Sequence, residues 1–218
     1  MKKTSKALLL GLCALLLVGA SVLGTMAYLT DTKSVENTFN VGKVEITLDE
    51  AKVDTTGKKV SPEVRQTSNE YHLFPGVTYD KDPTVHVKVG SEKCYVFVKV
   101  ENEILNIEEK TNTNLKGETV ESIAAQMGKN NWVAITEGSN VFVHKKSDGT
   151  LDIVDAKTEQ QDLEVFNKFT VDKTQDGATL TPYKNAKIKV TAYAVQADGW
   201  SNTIDAETIW NTALKDLK

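Results

Sequence analysis

The stretch that decides the fold is CYVFVKV, residues 94–100. Side chains of a β-strand alternate between its two faces, so residues 94, 96, 98 and 100 lie together on one face, and all of them are apolar. Tyr95 and Phe97 make the first half of the opposite face apolar as well. A strand that is apolar on both faces is covered on both sides, so the pattern predicts a central strand here.

Three other segments show the same alternation with a more polar second face: residues 44–48, 85–89 and 186–194. Alternation of this length is typical of a strand that packs one face on a core and turns the other toward solvent. The turn residues Gly90-Ser91 follow the second of these segments. They predict a hairpin that connects this segment to the central strand.

Three short apolar runs follow one another in the middle of the chain. They are residues 132–136, 141–144 and 151–154, separated by polar turn sequences that contain glycine. Short turns connect antiparallel neighbours, so we expect a three-stranded meander. The polar stretch at residues 53–70 lacks such alternation and is expected to be a long exposed loop.

Only two segments have the spacing of an amphipathic helix. In residues 120–127 apolar side chains recur at intervals of three and four, and Gly128 is positioned to end the helix. The second segment begins at Asp205, a natural helix cap, and continues to Leu217. Many strands with two short helices predict an all-β fold, a jelly-roll-like antiparallel β-sandwich with two short peripheral helices.

The first 27 residues have the composition of an export signal. Three lysines precede a leucine-rich run without charges that extends from Ala7 to Ala27, and small residues come just before its end. The pattern predicts a signal peptide at residues 1–27, cleaved between Ala27 and Tyr28, and a single domain at residues 28–218. A retained membrane anchor is the alternative, because about 20 apolar residues can span a bilayer.

Charge and cysteine content narrow the classes of function. Without residues 1–27 the chain keeps 23 Lys and Arg against 30 Asp and Glu, a net charge of −7. This charge argues against nucleic acid, itself an anion, as a partner. Cys94 is the single cysteine left after cleavage, so no disulfide can form within the chain. Its place in an apolar strand predicts a buried side chain, with an intersubunit disulfide as the alternative.

A search for catalytic motifs gives no candidates. The sequence contains no His-Glu-x-x-His pair, no Gly-x-Ser-x-Gly turn and no phosphate-binding loop. The three histidines, His72, His86 and His144, are far apart in the sequence. His86 and His144 occupy outward or strand-end positions by alternation, so we expect them to be solvated surface residues. We therefore predict no catalytic residue, no metal ligand and no cofactor.

Several short motifs resemble those of one known family. The junction GTMAYLTDT at residues 24–32, followed by Asn37-Thr38-Phe39 and by VGKVEITL at residues 41–48, is similar to the start of the TasA/camelysin family of secreted Gram-positive proteins. Later segments resemble the family's Pro-Gly turn, its following hairpin and its closing strand: residues 73–76 (LFPG), residues 81–85 (KDPTV) with 90–100, and residues 192–198 (AYAVQAD).

The resemblance implies a jelly-roll-like β-sandwich, maturation by a SipW-type signal peptidase, and a role as a fibre-forming subunit or accessory protein of the extracellular biofilm matrix. The expected location is the extracellular matrix or the cell surface, with membrane contact only through the signal segment of the precursor. Camelysins are also named as cell-surface metalloendopeptidases, which is a second interpretation, although the sequence has no zinc motif. A surface binding module is the third, with Trp132 or Trp200 as an exposed aromatic platform; alternatively, Trp200 packs at the edge of the core.

The segment that cleavage would free suggests how subunits assemble. Tyr28, Leu29, Val35 and Phe39 are spaced among polar residues, and such a segment can add as a strand to an open sheet edge of a neighbouring subunit. The predicted partners are therefore the signal peptidase and other copies of this chain or related matrix subunits. The alternative is that the segment folds onto its own domain.

Overall fold

The computed structural model describes residues 43–110, 113–201 and 203–214. Strands predominate in these residues, and the strand pairs are antiparallel, as predicted. The strands are β1 (Ile46–Ala51), β2 (Arg65–Gln66), β3 (Thr78–Asp80), β4 (Thr84–Val87), β5 (Cys94–Asn102), β6 (Trp132–Ala134), β7 (Val141–His144), β8 (Gln161–Glu164), β9 (Lys168–Thr170) and β10 (Ile188–Gln196). The helices are α1 (Ile123–Lys129), α2 (Gly177–Leu180) and α3 (Ala206–Ala213), with a 3₁₀ turn at Thr181–Tyr183.

The strands of the described residues form three sheets. The first sheet has the order β2-β1-β4-β8, the second sheet has the order β10-β5-β7-β6, and β3 pairs with β9 in a two-stranded ribbon. β5 lies inside the second sheet, where it pairs with β10 over nine residues and with β7 on its other side. β5 is therefore the central strand that its sequence predicts.

One hydrophobic core receives side chains from both four-stranded sheets. Val85 and Val87 of β4 and Val96 and Val98 of β5 are fully buried in the same cluster. These alternate residues are the ones that the period of two places on the inner face of each strand. Their removal from water is a main source of folding free energy.

The opposite face of β5 is covered by α3. Phe97 is fully buried there with Ile209 and Trp210 of the helix. The ring of Trp210 lies 5.7 Å from that of Phe97 and 5.0 Å from that of Tyr193 in β10, measured between ring centroids. The helix therefore closes the second sheet on the side away from the main core.

Both predicted helices are present. Ser122 caps α1 and Asp205 caps α3, and each cap side chain accepts a hydrogen bond from a backbone N–H of the first turn. Leu217, the last apolar residue of the second predicted helix, lies outside the described residues. The structure adds the short helix α2, capped by Asp176. Four residues are too few to show an amphipathic repeat, so the sequence pattern could not reveal it.

The prediction of a hairpin at Gly90-Ser91 is wrong. β4 belongs to the first sheet and β5 to the second, so residues 88–93 carry the chain from one sheet to the other. Both strands place alternate valines in the same core, and they do so from different sheets. Two strands with this arrangement are not hydrogen-bonded neighbours, even though a turn sequence separates them.

The predicted three-stranded meander is confirmed in part, and the segment expected to be a long loop contains strand pairing. β6 and β7 form an antiparallel hairpin, whereas residues 151–154 make only isolated bridges to other segments. Residues 53–70 contain β2 and a bridge between Val53 and Lys59. Their pairing uses backbone atoms and charged side chains, so no apolar alternation marks it in the sequence.

No helix in the described part of the chain is long and apolar enough to cross a membrane. Residues 1–27 and the predicted cleavage site between Ala27 and Tyr28 lie outside the described residues. Both hydrophobic clusters draw on side chains between Val44 and Leu214. A chain that begins at Tyr28 therefore keeps all of this core.

The packing of α3 predicts a large effect of Trp210→Ala. The substitution should lower the free energy of unfolding by about 3–5 kcal/mol, because it leaves a cavity between the helix and the second sheet. Thr212→Ala, at an exposed position of the same helix, should change it by less than about 0.5 kcal/mol. Urea denaturation followed by circular dichroism measures both values. Small and equal effects would contradict docking of α3 through its apolar face.

Candidate functional site

A charged groove of about 480 Å³ lies on the first sheet. We call it the ionic groove. Its lining residues are all polar or charged: Asp49, Glu63, Arg65, Asp82, Thr84, His86, Lys88, Gln160, Asp162 and Glu164. Each of the four strands of the first sheet contributes at least one of these side chains. The groove therefore exists only when the four strands are paired.

Strand register brings three of these side chains together. His86 of β4 lies opposite Asp162 of β8 on one side and opposite Thr47 of β1 on the other. Asp49 is two residues beyond Thr47, so it shares the same face of β1 and lies diagonally across from His86. The imidazole thus lies between carboxylates from two strands that are distant in the sequence.

His86 makes polar contacts through both ring nitrogens. Nδ1 is 2.7 Å from Oδ1 of Asp162, and Nε2 is 2.9 Å from Oδ1 of Asp49. A carboxylate only accepts hydrogen bonds and a neutral imidazole has one N–H, so both bonds require the doubly protonated ring. Burial disfavours this charged form, but the two carboxylates outweigh burial and raise the pKa of His86. Burial likewise opposes ionisation of Asp49 and Asp162, yet the contacts with His86 contribute to a net lowering of their pKa values.

Arg65 of β2 connects Asp49 to a second, more deeply buried carboxylate. Its Nε donates to Oδ1 of Asp49 at 2.7 Å, and its Nη1 donates to Oδ2 of Asp82 at 2.8 Å. The Asp82 side chain is 4 % exposed, and it also accepts from Nζ of Lys59 and from the backbone N–H of Ala51, both at 2.7 Å. Burial alone would raise the pKa of Asp82, but these three donors lower it.

The sequence neighbours of Asp49 and Asp82 form a second buried ion pair. Nζ of Lys81 lies 2.5 Å from Oε2 of Glu50, and the two side chains are 10 % and 6 % exposed. Nζ of Lys81 is also 5.9 Å from the ring centroid of Tyr71. Lys81 and Asp82 belong to the KDPTV segment at residues 81–85. In the structure, both charges tie this segment to β1 through Glu50 and the Ala51 N–H.

The ionic groove is a network of opposite charges that holds four strands together. Asp49, Asp82 and Asp162 each contact a cationic or protonatable side chain. Asp82 is the deeply buried acid of the network, so loss of its partners leaves a buried charge unpaired, which is strongly destabilising. His86 makes the network sensitive to pH. The described residues contain no group of three or more His, Cys, Asp or Glu side chains that could hold a metal ion.

The expectation of solvated surface histidines is wrong. The side chains of His86 and His144 are 12 % and 13 % exposed. Nδ1 of His144 lies 2.8 Å from Oδ2 of Asp152, and its ring packs edge-on against Trp132. An outward position in one strand does not show which acids and rings the neighbouring segments place over it.

The other singled-out residues have mixed outcomes. Cys94 is buried and free, as predicted, and burial raises the pKa of its thiol to about 11. Trp132 is not an exposed platform, because it is 2 % exposed and its Nε1 donates to the backbone oxygen of Glu164. Trp200 is half-buried at the edge of the cluster around α3, which confirms the alternative given for it. The predicted assembly residues lie outside the described residues: Tyr28, Leu29, Val35 and Phe39.

The ionic groove was not predicted from the sequence. Its members come from separate segments between Asp49 and Glu164, and no short spacing connects them. The one signal in the sequence was Asp82, which follows Lys81 in the KDPTV segment. Comparison with known protein families, with curated proteins and with solved structures found no match.

The position of His86 predicts that stability falls as pH rises. Its pKa is raised in the folded chain above the ordinary value of 6.5, so its contribution is complete below that value and is lost as the pH passes the folded pKa. The free energy of unfolding should drop by roughly 1.5 kcal/mol between about pH 6 and about pH 9, the scale of one charge-assisted hydrogen bond. Urea denaturation across this range measures it. His86→Gln should abolish the drop and the exposed control His72→Gln should keep it; a drop that survives in His86→Gln contradicts the assignment.

The burial of Asp82 predicts a large cost for neutralising it. Asp82→Asn keeps the size of the side chain but leaves Arg65 and Lys59 without their shared carboxylate, which should destabilise the chain by about 3 kcal/mol. Asp155→Asn is a matched control, because Asp155 is half exposed and lies 3.5 Å from Lys93. It should cost less than about 1 kcal/mol. Equal urea midpoints for the two variants would show that the buried network does not hold the first sheet.

Proposed function

We propose that this protein is a secreted structural component of the extracellular biofilm matrix, a fibre-forming subunit or an accessory of the fibres. We further propose that a SipW-type signal peptidase matures it by cleavage between Ala27 and Tyr28. The motifs described in the sequence analysis support export and the matrix role. The single structural observation that supports assembly is the open edge of β10.

β10 is a long strand that is paired on one side only among the described residues. It matches β5 over nine residues without interruption and contains no proline. No described strand is hydrogen-bonded to its other edge. Long regular edges are where other chains add, and proteins usually protect them with charges, prolines or bulges. The single charged residue of β10 is Lys189.

The register shows which residues of β10 present free backbone groups. Two hydrogen bonds just beyond the ends of β5 and β10 continue the pairing between these strands. The N–H of Glu103 donates to the backbone oxygen of Lys187, and the N–H of Ala197 donates to the backbone oxygen of Lys93. Bonded and non-bonded pairs alternate in an antiparallel ladder, so the odd-numbered residues of β10 bond to β5. The even-numbered residues direct their N–H and C=O groups toward the open edge: Ile188, Val190, Ala192 and Ala194. The oxygen of Gln196, at the end of the strand, accepts a hydrogen bond from Nε1 of Trp200 at 3.1 Å.

Apolar side chains from both faces of β10 pack against hydrophobic clusters. Val190, Ala192 and Ala194 pack against the main core, while Tyr193 and Val195 pack against the cluster around α3. An added strand would find apolar neighbours on both faces in addition to backbone partners. Burial on both faces is the condition under which strand addition gains most.

The occupant that we propose for this edge is the segment from Tyr28 to about Asn40 of a neighbouring copy. The segment is longer than β10, and its apolar side chains are the ones named as the predicted assembly residues. A contact between the start of one copy and the edge of the next is heterologous and does not close, so it generates filaments. If the segment instead covers the edge of its own domain, the protein stays monomeric.

We also propose that the two four-stranded sheets form a sandwich with jelly-roll-like connections. The shared core of β4 and β5 supports this arrangement. So do the chain crossings from β4 to β5 and from β7 to β8, each of which passes from one sheet to the other. Crossings of this kind are typical of Greek-key connectivity.

Assembly through β10 predicts filaments that depend on two parts of the chain. A chain of residues 28–218 should form filaments visible by electron microscopy, and a chain that lacks residues 28–40 should not. Ala192→Pro should also prevent filaments while leaving the circular dichroism spectrum unchanged, because it removes an N–H that points to the open edge without disturbing the β5 ladder.

The matched control for this test is Ala134→Pro. Ala134 lies in β6, at the opposite edge of the second sheet, and hydrogen bonds on either side of it show that its own N–H also points away from the paired strand. Filaments should persist in this variant. Filaments without residues 28–40 would contradict strand addition by this segment. A monomer that digests casein until a chelator is added would overturn the structural function in favour of the metalloendopeptidase.

A further inference from the structure

The buried ion pair of Lys81 and Glu50 has a third partner, the amide of Asn69. Nζ of Lys81 donates to Oε2 of Glu50 at 2.5 Å, and Nδ2 of Asn69 donates to Oε1 of the same carboxylate at 3.0 Å. Glu50 belongs to β1, Asn69 lies between β2 and β3, and Lys81 directly follows β3. One carboxylate therefore contacts an amine on one side and a carboxamide on the other.

The orientation of the Asn69 amide is fixed by its hydrogen-bond partners. Nδ2 also donates to the backbone oxygen of Ala51 at 2.9 Å, and Oδ1 accepts from the backbone N–H of Val53 at 2.9 Å. A carboxylate and a backbone oxygen only accept hydrogen bonds, and a backbone N–H only donates one. The oxygen and nitrogen of this amide are therefore not interchangeable, and its nitrogen faces Glu50.

The oxygen of the same amide lies between two N–H donors. Besides the N–H of Val53, Nε2 of Gln66 donates to Oδ1 of Asn69. Two donors on a carbonyl oxygen stabilise the negative charge that forms there when a nucleophile adds to the carbonyl carbon. The carbonyl carbon of Asn69, Cγ, is thus prepared for attack.

Lys81 and Glu50 are shielded from water at this place. Their side chains are 10 % and 6 % exposed, and the ring centroid of Tyr71 lies 5.9 Å from Nζ of Lys81. A proton that moves from Nζ to Oε2 converts two buried charges into two neutral groups, which offsets the cost of holding charge away from water. The neutral amine is the nucleophilic form of lysine.

We propose that Lys81 and Asn69 join through an isopeptide bond, with Glu50 as the catalytic proton carrier. Nζ adds to Cγ of Asn69, the Nζ–Cγ bond forms, and the Cγ–Nδ2 bond breaks, so that Nδ2 leaves as ammonia. Glu50 takes one proton from Nζ before the attack and gives it to Nδ2. It then takes a second proton from Nζ and passes it to the released ammonia, which leaves as ammonium. The reaction needs no oxidant or reductant.

The bond closes a covalent loop from residue 69 to residue 81, which contains β3. A cross-link restricts the unfolded chain and thereby stabilises the folded one. A chain that begins at Tyr28 has a single cysteine and no disulfide of its own, so the isopeptide bond gives it an internal cross-link of another kind. The bond forms within one copy and does not depend on the proposed assembly.

Mass spectrometry of the denatured chain of residues 28–218 tests this proposal. The folded protein is first incubated until its mass is constant. The chain should then be about 17 Da lighter than its sequence, which is the mass of one ammonia. Because the chain is denatured for the measurement, the result is the same whether or not the protein has formed filaments.

Digestion with trypsin and a glutamyl endopeptidase locates the bond. The two enzymes cut after Arg65 and Glu70, which separates Asn69 from Lys81 in an unlinked chain. In the linked chain the fragment with Asn69 should stay joined to the fragment with Lys81. Trypsin should also fail to cut after Lys81, because its amine is acylated.

Two conservative variants should keep the full sequence mass. Lys81→Arg retains a positive charge beside Glu50, but a guanidinium stays protonated and does not attack. Glu50→Gln keeps the size of the side chain but does not accept the proton. Circular dichroism checks that each variant is folded. Joined fragments in Glu50→Gln would remove Glu50 from the reaction.

The exposed ion pair of Lys43 and Glu45 supplies matched controls. Nζ of Lys43 lies 2.6 Å from Oε2 of Glu45, and both side chains are exposed. Lys43→Arg and Glu45→Gln make the same chemical changes away from Asn69. Both control variants should lose ammonia to the same extent as the unsubstituted chain.

Three results would overturn the proposal. The first is the full sequence mass in the unsubstituted chain. The second is a loss of ammonia with separate fragments, which would assign the loss to cyclisation of Asn69 onto its own backbone. The third is a loss of about 18 Da, one water, which would indicate an amide between Lys81 and Glu50 instead.

Discussion

β5 is buried on both faces, and the other layers of the domain are arranged around it. Its valines belong to the core that receives side chains from both four-stranded sheets, while Phe97 on the other face holds α3 through Trp210. The strand also supplies the ladder for β10. β10 packs against the same two clusters as β5 but has no described partner beyond it, so the second sheet ends in an apolar edge strand.

Hydrophobic burial has no direction, so it does not by itself fix the register of short strands such as β2 and β8. The ion pairs of the ionic groove depend on the relative position of the strands, so they constrain the register. Arg65 reaches two carboxylates at once, and His86 lies between strands on either side of it. Buried ion pairs lose much of their attraction to desolvation, so their main effect is to select one register by penalising every other one. The contacts of these charged side chains therefore fit one register of the first sheet.

The parts of the fold that the sequence predicts are those that depend on local pattern. Alternation of apolar residues identifies β1, β4, β5 and β10, and apolar intervals of three and four identify α1 and α3, the second with its cap at Asp205. The ionic groove could not be predicted in the same way. Its charged side chains come from strands and loops that meet only after pairing, and an acid or a lysine in isolation usually indicates a solvated surface.

By itself, the sequence determined the segments that form β1, β4, β5, β6, β7 and β10, the apolar faces of these strands, and the burial of Cys94. Only the tertiary structure decided that β4 and β5 lie in different sheets, that His86 lies between two carboxylates, and that β10 is an edge. The physical reason is the range of the interactions. Side-chain alternation follows from the geometry of a single strand, whereas strand pairing and burial of charge depend on partners far away in the chain.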